Sequence, residues 1–411
     1  MPLLNKTPRP TRSEARTPPA RRLSAARIAL TAIFAVDGFL FAAWVVRIPD
    51  IRAQVHASHS ALGLALLCIS AGAVAAMPLV GRLCVRYGSR RVTVVSLGLL
   101  SAAVLLPPHT HSVPTLGAVL VLFGAGYGSA NVAMNSAAVE LVAELRRPVM
   151  PSFHAGYSLG GLLGAAVGGL LADTLTASWA LALSGALGAA VTAAAGTVLL
   201  RQPKAGPVTA TAGATVGAAA ATVVPARFLV LLLGLTALFS SYGEGALADW
   251  ATLHLTDDVH AGAGLAAFGY AAYALAMTTG RLSGTWLAVR FGPARLMAAG
   301  GLTACVGMLI AALSPSVPLV LGGFVLVGLG LANLFPLAIA RAGQQGGPRG
   351  VATASMLGYG GMLIGPPVIG FLADAASLPL ALTTVAAAGA GAALLATLAH
   401  RPRRSGPSAI A

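Results

Sequence analysis

Two acidic side chains lie within long apolar stretches of the sequence, Asp37 and Glu244. Asp37 is ten residues past Arg27, which is about 15 Å along an α-helix and half the thickness of the hydrocarbon core of a bilayer. An ionised carboxylate at that depth costs ~2.5 to 3.5 kcal/mol even on a lenient scale. Burial therefore favours the neutral acid, which can take a proton on one side and release it on the other. We predict proton coupling at Asp37, with Glu244 as the next candidate; for both, a structural carboxyl bonded to a neighbouring helix is the alternative.

Aromatic and amide side chains at helical spacing are candidates for lining a cavity beside these acids. Trp44 lies two turns after Asp37 on the same helix face, and an aromatic ring beside polar groups suits a sugar or an aromatic ligand. A Trp of the membrane interface is the alternative for Trp44. The other cavity candidates could equally bond to neighbouring helices, or in the case of His154 serve a gate; they are Tyr127, Asn131, Asn135, His154, Ser158, Asn333 and Tyr359.

Several short patterns imitate enzyme motifs without their structural context. Residues 156–160 (GYSLG) match the serine hydrolase elbow, but they lie in an apolar helical run and not at a strand-to-helix turn. Residues 124–128 (GAGYG) lack the βαβ context of a dinucleotide site. The three cysteines lie far apart, which predicts neither disulfide framework nor metal site. The sequence therefore predicts no enzyme, no cofactor and no metal.

Glycines recur every fourth residue in two of the apolar stretches. Such stripes let helix backbones approach closely and slide. We predict that the two stretches pack against each other across the molecule, through Gly156, Gly160, Gly164 and Gly168 in one and Gly280 and Gly284 in the other.

The composition places these residues in membrane-spanning helices. Of the 411 residues, 57% are hydrophobic and only 9% charged, with mean hydropathy +0.83; soluble domains carry about 25% charged residues. Spans of about 20 apolar residues are predicted at twelve places: 28–46, 60–80, 92–107, 114–138, 152–172, 179–200, 228–248, 262–283, 294–313, 317–340, 352–373 and 378–398. The prediction is an all-α polytopic membrane protein.

The basic residues that give the net charge of +15 are distributed as the predicted topology requires. If residue 1 is cytoplasmic, 24 of the 26 Lys and Arg residues fall on the inner side and only Arg47 and Arg52 outside. A nucleic-acid partner is therefore not predicted. The predicted organisation is a cytoplasmic tail (1–27), a six-helix bundle (28–200), a flexible cytoplasmic linker (201–227), a second six-helix bundle (228–398) and a cytoplasmic tail (399–411).

The two bundles are copies of one unit. Residues 86–88 (RYG) recur as 290–292 (RFG) and residues 112–114 (SVP) as 316–318, both 204 residues on. Because six is even, both copies have the same orientation and are related by an axis along the membrane normal. Two such bundles enclose a central cavity that rocking opens to either side in turn, which is the architecture of a transporter.

At this point the sequence resembles the major facilitator superfamily over about residues 25–400. The family's loop between the second and third spans is similar to residues 81–88 (GRLCVRYG) with the basic pair that follows, although Val85 and Val289 stand where the family has Asp. The resemblance implies a cytoplasmic gate built from Gly81, Arg82, Arg86, Gly88, Arg90, Arg91, Arg290 and Gly292, and it puts the family's acidic latch in doubt.

Three segments resemble bacterial inner-membrane members related to fucose permeases: 43–49 (AWVVRIP), 154–161 (HAGYSLGG) and 244–250 (EGALADW). The resemblance implies proton-coupled uptake of a small sugar-like solute across the bacterial cytoplasmic membrane. Efflux of a drug or metabolite is the close alternative, and a membrane sensor that binds without transporting is a further one. The expected partners are the solute, protons and the lipid bilayer, and members of this superfamily commonly act as monomers.

Overall fold

The computed structural model describes residues 20–57, 59–171, 174–201, 226–261 and 263–399. Within these ranges the chain is helical and contains no β-strand. The predicted N-terminal tail up to residue 19, the linker residues 202–225 and the C-terminal tail from residue 400 lie outside the described residues. The first helix begins at Ala20, eight residues before the predicted start of the first span.

The first half contains six long helices and one short one. The short helix, α2, follows α1 at the end opposite the basic loop 82–91, where Arg47 separates the two. The helices are α1 (Ala20–Val46), α2 (Ile48–Gln54), α3 (His59–Tyr87), α4 (Ser89–Ala103), α5 (Val113–Leu145), α6 (Met150–Leu170) and α7 (Ala177–Leu200).

The second half repeats the pattern as α8 (Ala226–Leu253), α9 (Ala263–Phe291), α10 (Pro293–Leu313), α11 (Val317–Leu331), α12 (Leu334–Ala375) and α13 (Leu378–Leu398). The tenth predicted span is divided at Asn333 between α11 and α12. The chain then reverses within α12 at Gly347, where φ is +57°. A β-carbon on Gly343 would lie 2.9 Å from the Val351 side chain, a distance that eight residues of straight helix do not allow.

Twelve membrane crossings result. By length and composition alone, nine stretches of the described chain can cross a membrane, and one of them, Val317–Ala375, contains the reversal and counts as two. The helices α6 and α9 complete the number. The predicted twelve-helix, two-bundle architecture is therefore confirmed.

The internal repeat is visible in the turn geometry. Gly88 and Gly292, 204 residues apart, each precede the third long helix of their half with φ of +88° and +82°. A β-carbon would meet nothing within 4 Å at either position, so the requirement for glycine is conformational and not spatial. Ser112 and Ser316 likewise precede the fourth long helix of each half, each followed by Val and Pro.

The two halves share a core at one end of the bundle. We call this the basic end, because it carries Arg82, Arg86, Arg90, Arg91, Arg147 and Arg290. There α3 meets α12, where a β-carbon on Gly81 would lie 2.8 Å from the Ala352 side chain, and α5 meets α12, where one on Gly343 would lie 2.6 Å from Val139. One apolar cluster includes both halves, whereas a second cluster, around Tyr242 and Phe324, belongs to the second half alone. The two halves are thus in contact at the basic end; we call the boundary between them the cleft.

The loop at the basic end has an acidic partner other than the one its family pattern implies. Arg90 Nη2 donates to Glu144 Oε1 of α5 at 2.6 Å, while Val85 is more than half exposed. Arg86 lies over the ring of Tyr87, 5.2 Å from its centroid. The gate role of this loop remains a prediction.

The glycine stripe of α6 packs differently from the prediction. Its four glycines face α1, where they meet Thr31, Ala35, Phe39 and Val46 in turn. Gly280 of α9 faces α11 instead. The helices α6 and α9 do meet across the halves, but through Pro151 against Gly284 and through polar side chains. The error arose because a stripe of small residues marks a close approach without identifying the partner helix.

Gly160→Ala should destabilise the protein by about 1–3 kcal/mol, the usual cost of overpacking, because the new methyl group would collide with the backbone carbonyl of Ala35. Gly98→Ala is the matched control: it is also helical, but a β-carbon there meets nothing within 4 Å. Thermal unfolding of the purified variants measures both. Equal melting temperatures for the two variants would contradict the close approach of α1 and α6.

Candidate functional site

Asp37 lies deep in α1 and is fully buried, with 0% of its surface exposed. Neither carboxylate oxygen has a hydrogen-bond partner among the described residues. The surrounding polar groups are three phenols within electrostatic range, those of Tyr127, Tyr157 and Tyr359. The alternative of a structural carboxyl bonded to a neighbouring helix therefore finds no partner atom in the described part of the chain.

The three tyrosines form a cluster that joins the halves. The hydroxyl oxygens of Tyr127 (α5) and Tyr157 (α6) are 2.6 Å apart. The ring of Tyr359, from α12 of the second half, meets Tyr127 edge-on at 6.0 Å, and Phe41 of α1 stacks on the other side at 4.9 Å. Tyr127 and Tyr359 are among the predicted cavity residues. Tyr157 is not, because it lies inside the motif that imitates a hydrolase elbow, where only the spacing of the glycines indicated a role.

Trp44 is neither the cavity wall nor the interfacial residue that its position predicted. Only 1% of its surface is exposed, and its ring packs against Phe123 of α5 at 5.9 Å. Trp44, two helical turns after Asp37, therefore lies in the core of the first half. The three tyrosines near Asp37 come from α5, α6 and α12, which spacing along α1 cannot reveal.

The second half contributes an ion pair, of which the sequence predicts Glu244 as a candidate but not Arg281. Arg281 of α9 donates from Nη2 to Glu244 Oε2 of α8 at 3.4 Å and from Nη1 to Ser158 Oγ of α6 at 2.7 Å. This arginine had been counted among the 24 basic residues of the inner side. It lies nine residues before Arg290, nearly as deep as Asp37 lies past Arg27, so the depth argument used for Asp37 would have found it.

A second group of polar contacts lies next to this pair. His154 Nε2 is 3.1 Å from Asn135 Oδ1, and the imidazole meets the ring of Phe335 from the second half edge-on at 5.8 Å. Both His154 and Asn135 are buried. The structure thus brings these two predicted residues together as partners of each other, at the boundary between the halves.

The two remaining amides differ in their surroundings. Asn131, one turn from Tyr127, is buried and its Oδ1 has no hydrogen-bond partner among the described residues. Asn333 stands where α11 ends, and its Nδ2 donates to the carbonyl of Gly280 at 2.9 Å. Asn333 therefore bonds to a neighbouring helix, which is the alternative to lining a cavity, and holds α9 directly before Arg281. Its Oδ1 has no hydrogen-bond partner among the described residues.

Together these contacts place an acid on one side of the cleft and an ion pair on the other. Tyr157 lies within electrostatic range of Asp37, Glu244 and Arg281. Buried polar atoms without a hydrogen-bond partner among the described residues occur in both halves: they include the acceptor oxygens of Asp37 and Asn131 in the first, and Asn333 Oδ1 and the donor Arg281 Nε in the second. A bound molecule between the halves could satisfy both kinds of group.

A lateral groove lies outside this central arrangement. It encloses about 250 Å³ between α1, α6 and α7, and its lining is mainly apolar, including Phe39, Val167, Leu183 and Leu187. Arg47 reaches its edge and donates to the Leu171 carbonyl at 3.0 Å and to Asp50 at 3.1 Å. Arg47 is thus buried, although it is one of the two basic residues that the charge count places on the outer side.

The comparisons with known proteins agree with this architecture. A family model described as Major Facilitator Superfamily matches residues 29–248 and 233–411. The chain is 35% identical over 407 residues to the uncharacterized transporter y4wD of Sinorhizobium fredii, covering 92% of this chain and 98% of that relative.

Solved structures give the same fold at low sequence identity. FucP in its outward conformation has a TM-score of 0.71 at 17% identity, covering 91% of this chain and 98% of that one; a second structure describes FucP as the E. coli fucose:proton symporter. The proton:xylose symporter XylE has a TM-score of 0.72 at 14% identity, covering 91% of this chain and 95% of that one. The chain belongs to the major facilitator superfamily: it is a multi-pass membrane transporter, of a family whose members are not enzymes.

Proposed function

We propose that this transporter takes up a small sugar-like solute together with protons, and that Asp37 is the proton-coupling residue. The observation that carries the proposal is the environment of Asp37, a fully buried carboxyl whose oxygens have no partner among the described residues. A dry environment disfavours the charged form of a carboxyl group, whereas water or a polar solute entering the cleft would stabilise it. Proton binding at Asp37 therefore depends on whether the cleft is open, which is the requirement for coupling.

The unsatisfied polar atoms support a solute with several hydroxyl groups. Asp37 and Asn131 offer acceptors from the first half, and Arg281 offers a donor from the second. A hydroxyl group both donates and accepts, so one polyhydroxylated molecule can serve all three, while the tyrosine rings give its apolar faces a surface to pack on. The descriptions of FucP and XylE as proton symporters of fucose and xylose agree with this solute class.

Alternating access supplies the transport step. With the basic end in the cytoplasm, the shared core at that end closes the path to the cytoplasm, and the full burial of Asp37 means that solute and protons reach it only after the opposite end opens. Inward opening requires separation of α3 and α5 from α12, together with rupture of the Arg281–Ser158 hydrogen bond that crosses the halves. The tight backbone contact of α6 with α1 keeps those two helices together as one moving unit.

Efflux of an apolar drug or metabolite is the second candidate function. It is favoured by the lateral groove between α1, α6 and α7, whose apolar lining would admit a molecule from the lipid. The two functions differ in the direction of coupled proton movement, so one experiment separates them.

The orientation is testable by single cysteines in the full-length chain after replacement of Cys68, Cys84 and Cys305. The positive-inside rule places the basic end in the cytoplasm of the bacterial cell. We expect a membrane-impermeant maleimide to label His111→Cys in intact cells and to label Arg147→Cys only after permeabilisation; both side chains are exposed and lie at opposite ends of α5. The reverse labelling would invert the topology and with it the direction of uptake.

Proton coupling is testable in proteoliposomes that contain the pH dye pyranine. A symported solute added outside should acidify the interior as it enters, whereas an antiported one should make the interior more alkaline. The panel comprises L-fucose, D-xylose and D-glucose, with D-glucuronate, D-galacturonate and D-gluconate. We expect acidification with wild type, and no pH change with Asp37→Asn although exchange of labelled solute continues. A gradient of one pH unit supports about tenfold accumulation for each coupled proton, because 1.4 kcal/mol corresponds to a factor of ten, and Asp37→Asn should lose that factor.

The matched control is Asp249→Asn, which removes an exposed carboxylate near the end of α8 and should transport like wild type. Normal acidification by Asp37→Asn would remove Asp37 from the coupling step. Alkalinisation with wild type would favour efflux, and the absence of any pH change across the panel would contradict proton coupling.

A further inference from the structure

We propose that Arg281 selects solutes bearing a carboxylate, and that Glu244 occupies the guanidinium in their absence. The inference rests on the proposed proton-coupled uptake and specifies the solute class as sugar acids. Glu244 thereby becomes the group that leaves the arginine when the solute arrives.

The nitrogen atoms of the Arg281 guanidinium are unequally bonded. Nη1 donates to Ser158 Oγ at 2.7 Å, whereas Nη2 reaches Glu244 at only 3.4 Å and Nε has no partner among the described residues. The Nε and Nη2 hydrogens point to the same side, which is the edge that binds a carboxylate with two parallel hydrogen bonds. Glu244 uses one hydrogen bond of that edge and leaves the other unused.

The burial of the two partners is unequal. The Arg281 side chain is 9% exposed and that of Glu244 is 30% exposed. A buried guanidinium needs a well-placed anion because its desolvation is expensive, and Coulomb attraction is stronger away from water. A half-solvated carboxylate at 3.4 Å compensates this charge poorly. A solute carboxylate held in the dry part of the cleft would compensate it better.

The backbone beneath Arg281 is fixed from the other side. Asn333 donates to the carbonyl of Gly280, and Gly284 leaves no room for a β-carbon against the Asn333 side chain. The helix therefore presents Arg281 from a rigid position, as a recognition site requires.

The exchange keeps the buried guanidinium paired. Glu244 pairs with Arg281 in the absence of solute, and the solute carboxylate takes its place on binding, so the cation has an anionic partner in both states. Asp37 is separate from this step.

The test is ligand binding to the purified full-length protein by thermal shift, with D-glucuronate, D-galacturonate and D-gluconate as probes. Neutral controls are D-glucose and D-glucuronamide, which replaces the carboxylate by an amide of the same shape. We expect at least one carboxylate to raise the melting temperature, and its amide or neutral counterpart to bind about 10- to 100-fold more weakly, as for loss of hydrogen bonds to a charged group.

Three variants separate recognition from folding. Arg281→Gln combined with Glu244→Gln removes both charges without leaving either one buried alone, and should lose the preference for carboxylates. Glu244→Gln alone should bind the carboxylate at least as tightly as wild type, because the competing carboxylate is gone. Arg281→Lys keeps the charge but loses the pair of parallel hydrogen-bond donors, and should bind the carboxylate more weakly than wild type.

The outcomes distinguish this inference from the function on which it rests. Neutral sugars that bind as tightly as the acids, no stabilisation by any carboxylate, or an unchanged carboxylate preference in the double variant would each overturn the role of Arg281. Proton-coupled transport of a neutral sugar dependent on Asp37 would leave the proposed function intact while overturning the inference. Carboxylate binding that depends on Arg281, with no proton movement in proteoliposomes, would instead contradict the proposed coupling.

Discussion

The cost of placing a polar group in hydrocarbon is the constraint on which the rest of this structure depends. The backbone meets it by forming helices throughout the described ranges, since every internal N–H and C=O is then bonded within its own segment. Most charged side chains meet it by lying at the basic end. A few charged side chains remain inside the membrane despite the cost of their desolvation. Among them, Asp37, Glu244 and Arg281 lie near the boundary between the halves.

The same constraint explains how the halves can be joined and yet separate. At the basic end they meet through small apolar contacts, Gly81 with Ala352 and Val139 with Gly343, which form and break without stranding a charge. Deeper in the membrane they meet through the Arg281–Ser158 hydrogen bond. Parting there exposes a guanidinium that water or a solute must satisfy. Val85 in place of an acid agrees with a closure that depends on packing at the surface and on polar contacts only at depth.

Sequence reasoning predicted whatever depends on one helix at a time. Span number, the repeat and the burial of Asp37 follow from hydropathy and spacing along the chain. Contacts between helices did not follow: the stripe from Gly156 to Gly168 was assigned to α9 but packs on α1, and Trp44 was placed beside Asp37 but packs on Phe123. Arg281 was missed for a different reason. The positive-inside rule is satisfied when Arg281 is counted with the arginines of the loops, so the count gave no sign that this residue lies within a span. Its distance from Arg290 does indicate that depth.

The two halves began as copies, yet their acids now have opposite surroundings. Asp37 and Glu244 occupy matching helices, 207 residues apart. Asp37 is dry and without a partner in the described chain, while Glu244 is partly solvated and beside a cation. A symmetric pair of buried acids would respond alike to opening from either side. With unequal surroundings, water that reaches Asp37 changes the protonation of that acid, whereas an anion that competes for Arg281 displaces Glu244. A transporter that must bind two different species in one cycle needs that inequality, and the repeat supplies two equivalent positions on which it can be built.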